Sequence, residues 1–360
     1  MHIPIAQPSL GNEENEAVLA VLASGMIAQG PVTAAFEDEF AAYCGVPHAV
    51  AISNGTTALH AALLAAGVKP GDEVVVPAFT FFATASSVSM CGACPVFADV
   101  DAVTATIDPA DVLAKVTPKT KAVIGVHLYG QPCDAGAIRD ICDDKDLVFI
   151  EDAAQAHGAE YRGKRAGALG DLACFSFYAT KNLATGEGGM VTTASDEYDA
   201  RLRRIINHGQ SEKYLHAELG YNYRMTDINA AIGRVQLAKL GEFNRRRQEN
   251  AAYYSTYITA PGLVLPSVAP GRTHVWHQYS LRLTDAFPLS RDEFMAYLRE
   301  RGIGCAVHYP VALSRQPYYA GATVCPVAEA LAASVLSIPV HPNVTDEARA
   351  YVCETINGVI

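Results

Sequence analysis

The sequence has 360 residues, half of them hydrophobic and 18% charged, a balance that excludes a disordered chain and a collagen- or mucin-like repeat. Its 27 Lys and Arg against 38 Asp and Glu leave a net charge of −11, so no basic face is offered to nucleic acid, while a local cationic pocket for an anionic small molecule stays open. No apolar run reaches the roughly 18 residues of a membrane helix, and MHIPIAQPSL at the start has neither the basic nor the apolar segment of a signal peptide. Nine cysteines, an odd number, point to reduced thiols in the cytoplasm. The lone CxxC of Cys91 and Cys94 lacks the partners of a zinc site, and no metal is expected.

From about residue 46 to 195, seven short apolar runs alternate with helical patterns. The runs are AVAIS (49–53), EVVVP (73–77), PVFADV (95–100), KAVIGV (121–126), LVFIE (147–151), ACFSF (173–177) and GMVTT (189–193). Several are continuously apolar, as strands covered on both faces are. Helix-like TTALHAALLAAG, TFFATASSVSMCG and DAGAIRDICDDK lie between them, which predicts an α/β fold with a mostly parallel sheet. A long helical pattern runs from about Thr226 to Ile258, with Arg245, Arg246 and Arg247 read as a solvated face. The last part mixes QYSLRLT (278–284) with SRDEFMAYLRERG (290–302), where Ser290 and Glu293 form a capping box. The expected division is a large α/β domain over 1–240 and a small α+β domain over 241–360, entered by the long helix.

Four segments carry polar groups where a buried sheet would not want them. SNGTTALHAALLAAG (53–67) is a strand end, turn and helix start whose backbone N–H groups and Thr56 hydroxyl form either an anion site or a plain cap. Asp152, just past an apolar strand, could pair with a protonated ring nitrogen or cap the next helix, at the strand end where ligands of open α/β sheets collect. In ACFSFYATKNLATGEGGM (173–190), alternation turns Ser176 away from Phe175 and Phe177. Lys181 follows in a loop, as a surface residue or as an amine desolvated for Schiff-base work. The glycines there match neither a P-loop nor GxGxxG, so a nicotinamide dehydrogenase has little support. In GYNYRMTD (220–227), an extended chain puts Asn222 and Arg224 on one face and Tyr221 and Tyr223 on the other. His274 and His277 stand three apart around the only Trp, and no metal site is expected of them.

Taken together, NGTTALHAAL, PAFTFFATASSV, EDAAQAHGAEYRGKRAG, FSFYATKNLATGEGGM and GYNYRMTDINAAIG resemble, in that order, the DegT/StrS family of sugar-nucleotide aminotransferases over nearly the whole chain. The resemblance implies a pyridoxal 5′-phosphate (PLP) enzyme of fold type I, with a seven-stranded central sheet flanked by helices and a smaller α+β C-terminal domain. It implies that Lys181 holds the cofactor as a Schiff base and Asp152 pairs with the pyridine nitrogen. Gln155 would lie near the 3-oxygen, Phe81 would stack on the ring, and Gly55, Thr56, Thr57 and Ser176 would hold the phosphate. Asn222 would reach the phosphate of the neighbouring subunit in a homodimer with shared sites. Arg224, His308 and Tyr309 would face the substrate. The implied reaction moves an amino group, with L-glutamate as expected donor, to a nucleoside-diphosphate keto-sugar for surface polysaccharide or glycan biosynthesis. Carbon 4 is the expected position, from the loop VHLYGQPCD (126–134); a 3-aminotransferase on a UDP- or dTDP-keto-sugar is the alternative. A sugar dehydratase of the same fold would carry histidine where Lys181 stands, and a non-catalytic regulatory homologue would have lost site residues that are present here.

Overall fold

Two helices open the chain, α1 (Asn12–Ser24) and α2 (Pro31–Cys44), and the periodicity argument above did not find either. Both are weakly amphipathic because polar groups are buried on them: Glu14 of α1 is only 3% exposed and is held by Gln236 and Lys239, each at 2.8–3.0 Å. The punctuation of α2 is nonetheless standard, with Pro31 in its first turn and Gly45 at its end in the left-handed region, φ 78°. The computed structural model describes residues 1–319, 321 and 323–359.

The predicted strands then follow in register: β1 (His48–Ile52), β2 (Glu73–Pro77), β3 (Cys94–Ala98), β4 (Thr120–Val126) and β5 (Val148–Asp152). Helices α3 (Gly55–Ala65), α4 (Ala83–Met90), α5 (Pro109–Lys115) and α6 (Ala135–Lys145) separate them. After a short hairpin, β6 (Glu160–Tyr161) with β7 (Lys164–Arg165), come β8 (Leu172–Ser176) and β9 (Gly189–Thr193). The long strands form one seven-stranded sheet in the order β1-β9-β8-β5-β4-β2-β3. Only β9 runs against its neighbours; the pairs among β2, β3, β4, β5 and β8 are parallel. Strand residues alternate between two cores: Val74, Val76, Ala122 and Ile124 pack on one face, and Val75, Val123 and Phe149 on the other. Apolar residues are needed at every position of such a strand, hence the continuous runs.

Helix α7 (Asp196–Ile205) and a hairpin, β10 (Gln210–Glu212) with β11 (Leu215–His216), lead to the 31-residue α8 (Asp227–Tyr257). Its cap is Thr226, whose hydroxyl accepts the Asn229 N–H at 3.3 Å. Residue 240 falls in the middle of this helix: Ala230 and Leu240 join the core around Phe36 and Phe175, whereas Ala251 and Tyr254 join another with Tyr279 and Leu336. Arg247 corrects the reading of a solvated basic face. It is 5% exposed and donates to the carbonyls of Trp276 at 3.0 Å and His277 at 3.3 Å, leaving Arg245 and Arg246 on the outside. A one-residue step on a helix turns a side chain by about 100°, so three adjacent residues cannot share one face.

Beyond α8 an antiparallel three-stranded sheet, β12 (Leu263–Val264), β13 (Tyr279–Leu283) and β14 (Val335–Ile338), packs with α9 (Arg291–Glu300), α10 (Pro326–Ser334) and α11 (Asp346–Asn357). The capping box on α9 is present, Glu293 accepting the Ser290 N–H at 2.8 Å. Among the described residues no helix is long and apolar enough to cross a membrane.

Candidate active site

A cavity of about 580 Å³ opens at the carboxyl ends of the parallel strands. Val126 closes β4, Asp152 closes β5 and Ser176 closes β8, and all three line it, the place where an open α/β sheet leaves room for a ligand. Of the residues singled out in the sequence, Gly55, Thr56, Thr57, Phe81, Asp152, Gln155, Ser176, Lys181, His308 and Tyr309 surround this one cavity. Asn222 and Arg224 do not. They pair with each other, Arg224 Nε donating to Asn222 Oδ1 at 3.0 Å, and Arg224 also donates to Asn207. Asn222 is exposed, outside the cavity of its own chain. The alternation expected there is observed, with Tyr221 and Tyr223 stacked at 4.8 Å on the other face.

One wall is the start of α3. Asn54 caps it by accepting the Thr57 N–H at 2.9 Å, and the Thr57 hydroxyl donates back to the Asn54 carbonyl at 2.9 Å. Thr57 therefore spends both donors on the cap, whereas the N–H groups of Gly55 and Thr56 and the Thr56 hydroxyl, on residues that line the cavity, make no hydrogen bond among the described residues. Gly55 is required by a close approach: a Cβ there would come within 2.6 Å of Ser176 Cβ. Helix start and Ser176 hydroxyl thus form one cradle of donors with positive dipole, suited to a phosphate.

Lys181 sits in the loop after β8, in a turn closed by its own N–H on the Tyr178 carbonyl at 2.8 Å. Among the described residues its amine makes no hydrogen bond or ion pair. Burial pushes it down to about 8, and the Asp152 carboxylate pulls weakly the other way. Asp152 is 6% exposed, and burial raises it above the ordinary carboxylate value. Its donors are the Thr84 hydroxyl at 2.8 Å on Oδ2 and the Ala154 N–H at 3.3 Å on Oδ1. Gln155 is locked at both ends, accepting the Tyr129 N–H at 2.7 Å and donating to the Tyr309 hydroxyl at 3.0 Å. Phe81, 54% exposed, stands at the mouth with its ring 5.8 Å from that of Tyr309. His308 bonds Ser337 at 3.0 Å, and burial with the nearby Lys181 pushes it down to about 4.

His277 belongs to the cavity and was missed as such. Its protonation pattern follows from a chain of bonds. Asn244 Nδ2 donates to the His157 carbonyl at 2.8 Å, so Asn244 Oδ1 accepts from Asn182 Nδ2 at 3.0 Å. Asn182 Nδ2 also donates to the Val275 carbonyl, which leaves Asn182 Oδ1 as an acceptor facing His277 Nδ1 at 3.2 Å. Nδ1 must carry the proton. Burial first, then Lys181 and Arg247, hold the ring neutral, so Nε2 offers a bare lone pair. His274 goes elsewhere: its ring stacks on Trp276 at 3.8 Å and accepts the Trp276 N–H. Between the two histidines Trp276 adopts a positive φ of 48°. Thr84 was also missed, though Thr80 and Thr84 in TFFAT stand one helical turn apart.

Comparison with known proteins fits this geometry. A dTDP-3-amino-3,4,6-trideoxy-alpha-D-glucose transaminase of Streptomyces venezuelae is 42% identical over 95% of this chain and 91% of its own. A GDP-perosamine synthase of Caulobacter vibrioides is 41% identical over 96% and 94%. A "pleiotropic regulatory protein" of Geobacillus stearothermophilus is 46% identical over 93% and 91%. Among solved structures, S. venezuelae DesV in complex with a ketimine intermediate superposes with a TM-score of 0.92 at 42% identity, covering 96% of this chain and 94% of that one. The PLP-form of a putative sugar aminotransferase from Streptococcus pneumoniae does so with 0.94 at 29%, covering 100% and 98%. Fold and relatives define a PLP-dependent aminotransferase of fold type I. More narrowly, the model of the DegT/DnrJ/EryC1/StrS aminotransferase family matches residues 8–357, and the chain belongs to that family.

Proposed function

We propose that this enzyme transfers an amino group from an amino acid, L-glutamate, to a nucleoside-diphosphate keto-sugar in the cytoplasm, using PLP held in the Lys181 cavity. The observation that carries the reading is the half-buried amine of Lys181, without a hydrogen bond or ion pair among the described residues, sharing one cavity with the Asp152 carboxylate. The residues fit the cofactor: a cradle of free donors that a Cβ at Gly55 would fill suits its phosphate, and a carboxylate stands where a ring cation needs one. When bound, PLP supplies the electron sink on which a carbon acid can lose its proton.

In this reading Gly55, Thr56 and Ser176 hold the phosphate and Thr57 shapes their turn. Asp152 faces the pyridine nitrogen, where an opposite charge within about 4–6 Å favours protonation by roughly 1–3 pK units. Gln155 borders the 3-oxygen, and Phe81 covers the ring. Lys181 anchors the cofactor and then, as a free amine near 8, takes up and returns the proton of the reacting carbon. His308, Tyr309 and the lone pair of His277 face the sugar. Asn222 and Arg224, outside their own cavity, serve the neighbouring subunit's site in a homodimer. The chain divides into a large unit, 1–240, and a small one, 241–360, with α8 belonging to both cores.

Carbon 4 is the preferred position of the new amine, as in perosamine synthesis. Carbon 3 is the second reading, favoured by the 42% identity to the S. venezuelae transaminase. The test has two parts. Borohydride reduction of the PLP-loaded protein followed by peptide mapping is expected to label Lys181; a label elsewhere, or none, overturns the reading. Incubation with glutamate and UDP-, GDP- and dTDP-linked keto-sugars is expected to release 2-oxoglutarate with one of them, and analysis of the amino-sugar nucleotide formed alongside assigns the carbon.

A further inference from the structure

We propose that Thr84 is a positioning residue that holds Asp152 ionised and correctly turned toward the cofactor's ring nitrogen. The inference rests on the function proposed above, in which Asp152 meets that nitrogen. Two adjacent buried acids show why one hydroxyl matters. Glu151 accepts four hydrogen bonds, from His127 at 2.8 Å, Gly167 at 2.9 Å, and Leu169 and Gly170 at 2.7 Å each. Asp152 has two donors, and that of Ala154 is long at 3.3 Å. Thr84, at 2.8 Å, supplies the shorter of the two hydrogen bonds that favour the charged carboxylate.

The direction of the bond is not in doubt chemically. An ionised carboxylate can only accept, so the single proton of Thr84 points at Asp152 Oδ2. Thr80 Oγ1 lies 3.3 Å from Thr84 Oγ1, and with Thr84 already committed, Thr80 is the donor. The relay runs Thr80 to Thr84 to Asp152, each bond polarising the next. Thr84 is 0% exposed and does not line the cavity; it acts on the cofactor only through Asp152. Its bond falls on Oδ2 and Oδ1 carries only the long Ala154 contact, so the carboxylate keeps acceptor capacity for the ring nitrogen. The other ionisable groups near Asp152 are Lys181 on the loop after β8, His127 after β4, Cys174 on β8, Glu151 beside it on β5, and Tyr309 from the C-terminal part. None replaces the hydroxyl.

The test uses the full-length protein loaded with PLP, and reads the pH midpoint of the cofactor's visible absorbance change. Without the Thr84 bond, Asp152 binds protons more readily and supports ring protonation less; a less positive ring holds the Schiff-base proton more tightly. Thr84→Val, isosteric without the hydroxyl, is expected to raise the midpoint by about one pH unit, and Thr84→Ser to restore it. Thr80→Val, which removes only the first bond of the relay, is expected to shift it in the same direction by less, and stands in if Thr84→Val does not fold. A midpoint unchanged in the valine variants, or a serine variant shifted as far as valine, overturns the assignment. A wild type with no visible band overturns the proposed function beneath it; a normal band that the variants leave in place overturns this inference alone.

Discussion

Two regions of the chain place their polar groups differently: one closes them inside the packed fold, and the other turns them toward a cavity. Around β13 and β14, Tyr254 donates to the Pro339 carbonyl at 2.7 Å, Asn250 to the His341 carbonyl at 3.2 Å, and the hydroxyls of Ser280 and Ser337 bond at 2.9 Å. At the carboxyl edge of the large sheet, among the described residues, the Lys181 amine makes no hydrogen bond, Asp152 has two donors and the cavity-lining His277 bonds through Nδ1. A satisfied buried bond contributes about 1 kcal/mol, while an unsatisfied group costs about 1–3 kcal/mol. The first region spends most of its polar groups on packing, although His341 Nδ1 and Arg349 Nε there find no partner among the described residues, and the second keeps its groups open to a ligand.

The most severe way to break this contrast is Lys181→Met. Loss of the cofactor's anchor and of the proton carrier is expected to abolish the visible band and lower turnover by about 10⁴-fold, measured by absorbance and steady-state rate. The cofactor-free variant is expected to be more stable than wild type. An amine that falls from 10.5 in the unfolded chain to about 8 in the folded one costs about 3 kcal/mol. The unfolded chain holds more protons between those values, so the penalty is complete below pH 8 and fades as pH rises to 10.5. Urea unfolding of both apoproteins at pH 7 and pH 10.5 reads it: a gain that stays the same at both would show that the amine's charge is not its cause.

Gly55→Ala sharpens the comparison at the cradle. A methyl group against Ser176 must push strand end and helix start apart, which typically costs about 1–3 kcal/mol, and PLP affinity is expected to fall about 10- to 100-fold in a fluorescence titration. His277→Phe removes the Nε2 lone pair together with the Nδ1–H that Asn182 Oδ1 accepts. Turnover of the keto-sugar is expected to fall about tenfold, as for one lost hydrogen bond, with the PLP spectrum intact; His277→Gln, which can return an acceptor, is expected to recover most of it. The smallest effect lies in the stable region: Tyr254→Phe is expected to lower urea stability by about 1 kcal/mol and to leave PLP affinity and turnover unchanged.

Much of the architecture was legible because it is written locally. Strands covered on both faces must be apolar throughout, and the seven runs became the seven strands within a residue or two. Thr226 and Ile258, the limits read for the long helix, are its two caps. Helices α1 and α2 were lost because their partners are distant: Glu14 is buried against α8, and Asp227 caps α2 across almost two hundred residues, accepting from Gly30 at 2.8 Å and Thr33 at 2.9 Å. Glu14 leaves α1 without an apolar stripe, whereas α2 carries one in Phe36, Phe40 and Cys44, ahead of the first element read from the sequence. Arg247 was misjudged for the same reason, since its partners are carbonyls that only the folded chain brings to it.

Local pattern by itself determined which chemical groups stand at the strand ends: Ser176 turned from its aromatic neighbours, Asp152 at the end of β5, Lys181 in a loop, Asn222 paired in direction with Arg224. These depend on a two-residue period and on turn chemistry, both properties of neighbouring residues. Only the tertiary structure decided which of those groups are left short of partners. That Lys181 has none among the described residues, that Asp152 leans on Thr84 from 68 residues away, and that Asn244 and Asn182 dictate the proton on His277 are outcomes of desolvation and hydrogen-bond supply. Those two quantities are sums over everything that packs around an atom, and a linear string does not contain them until it has folded.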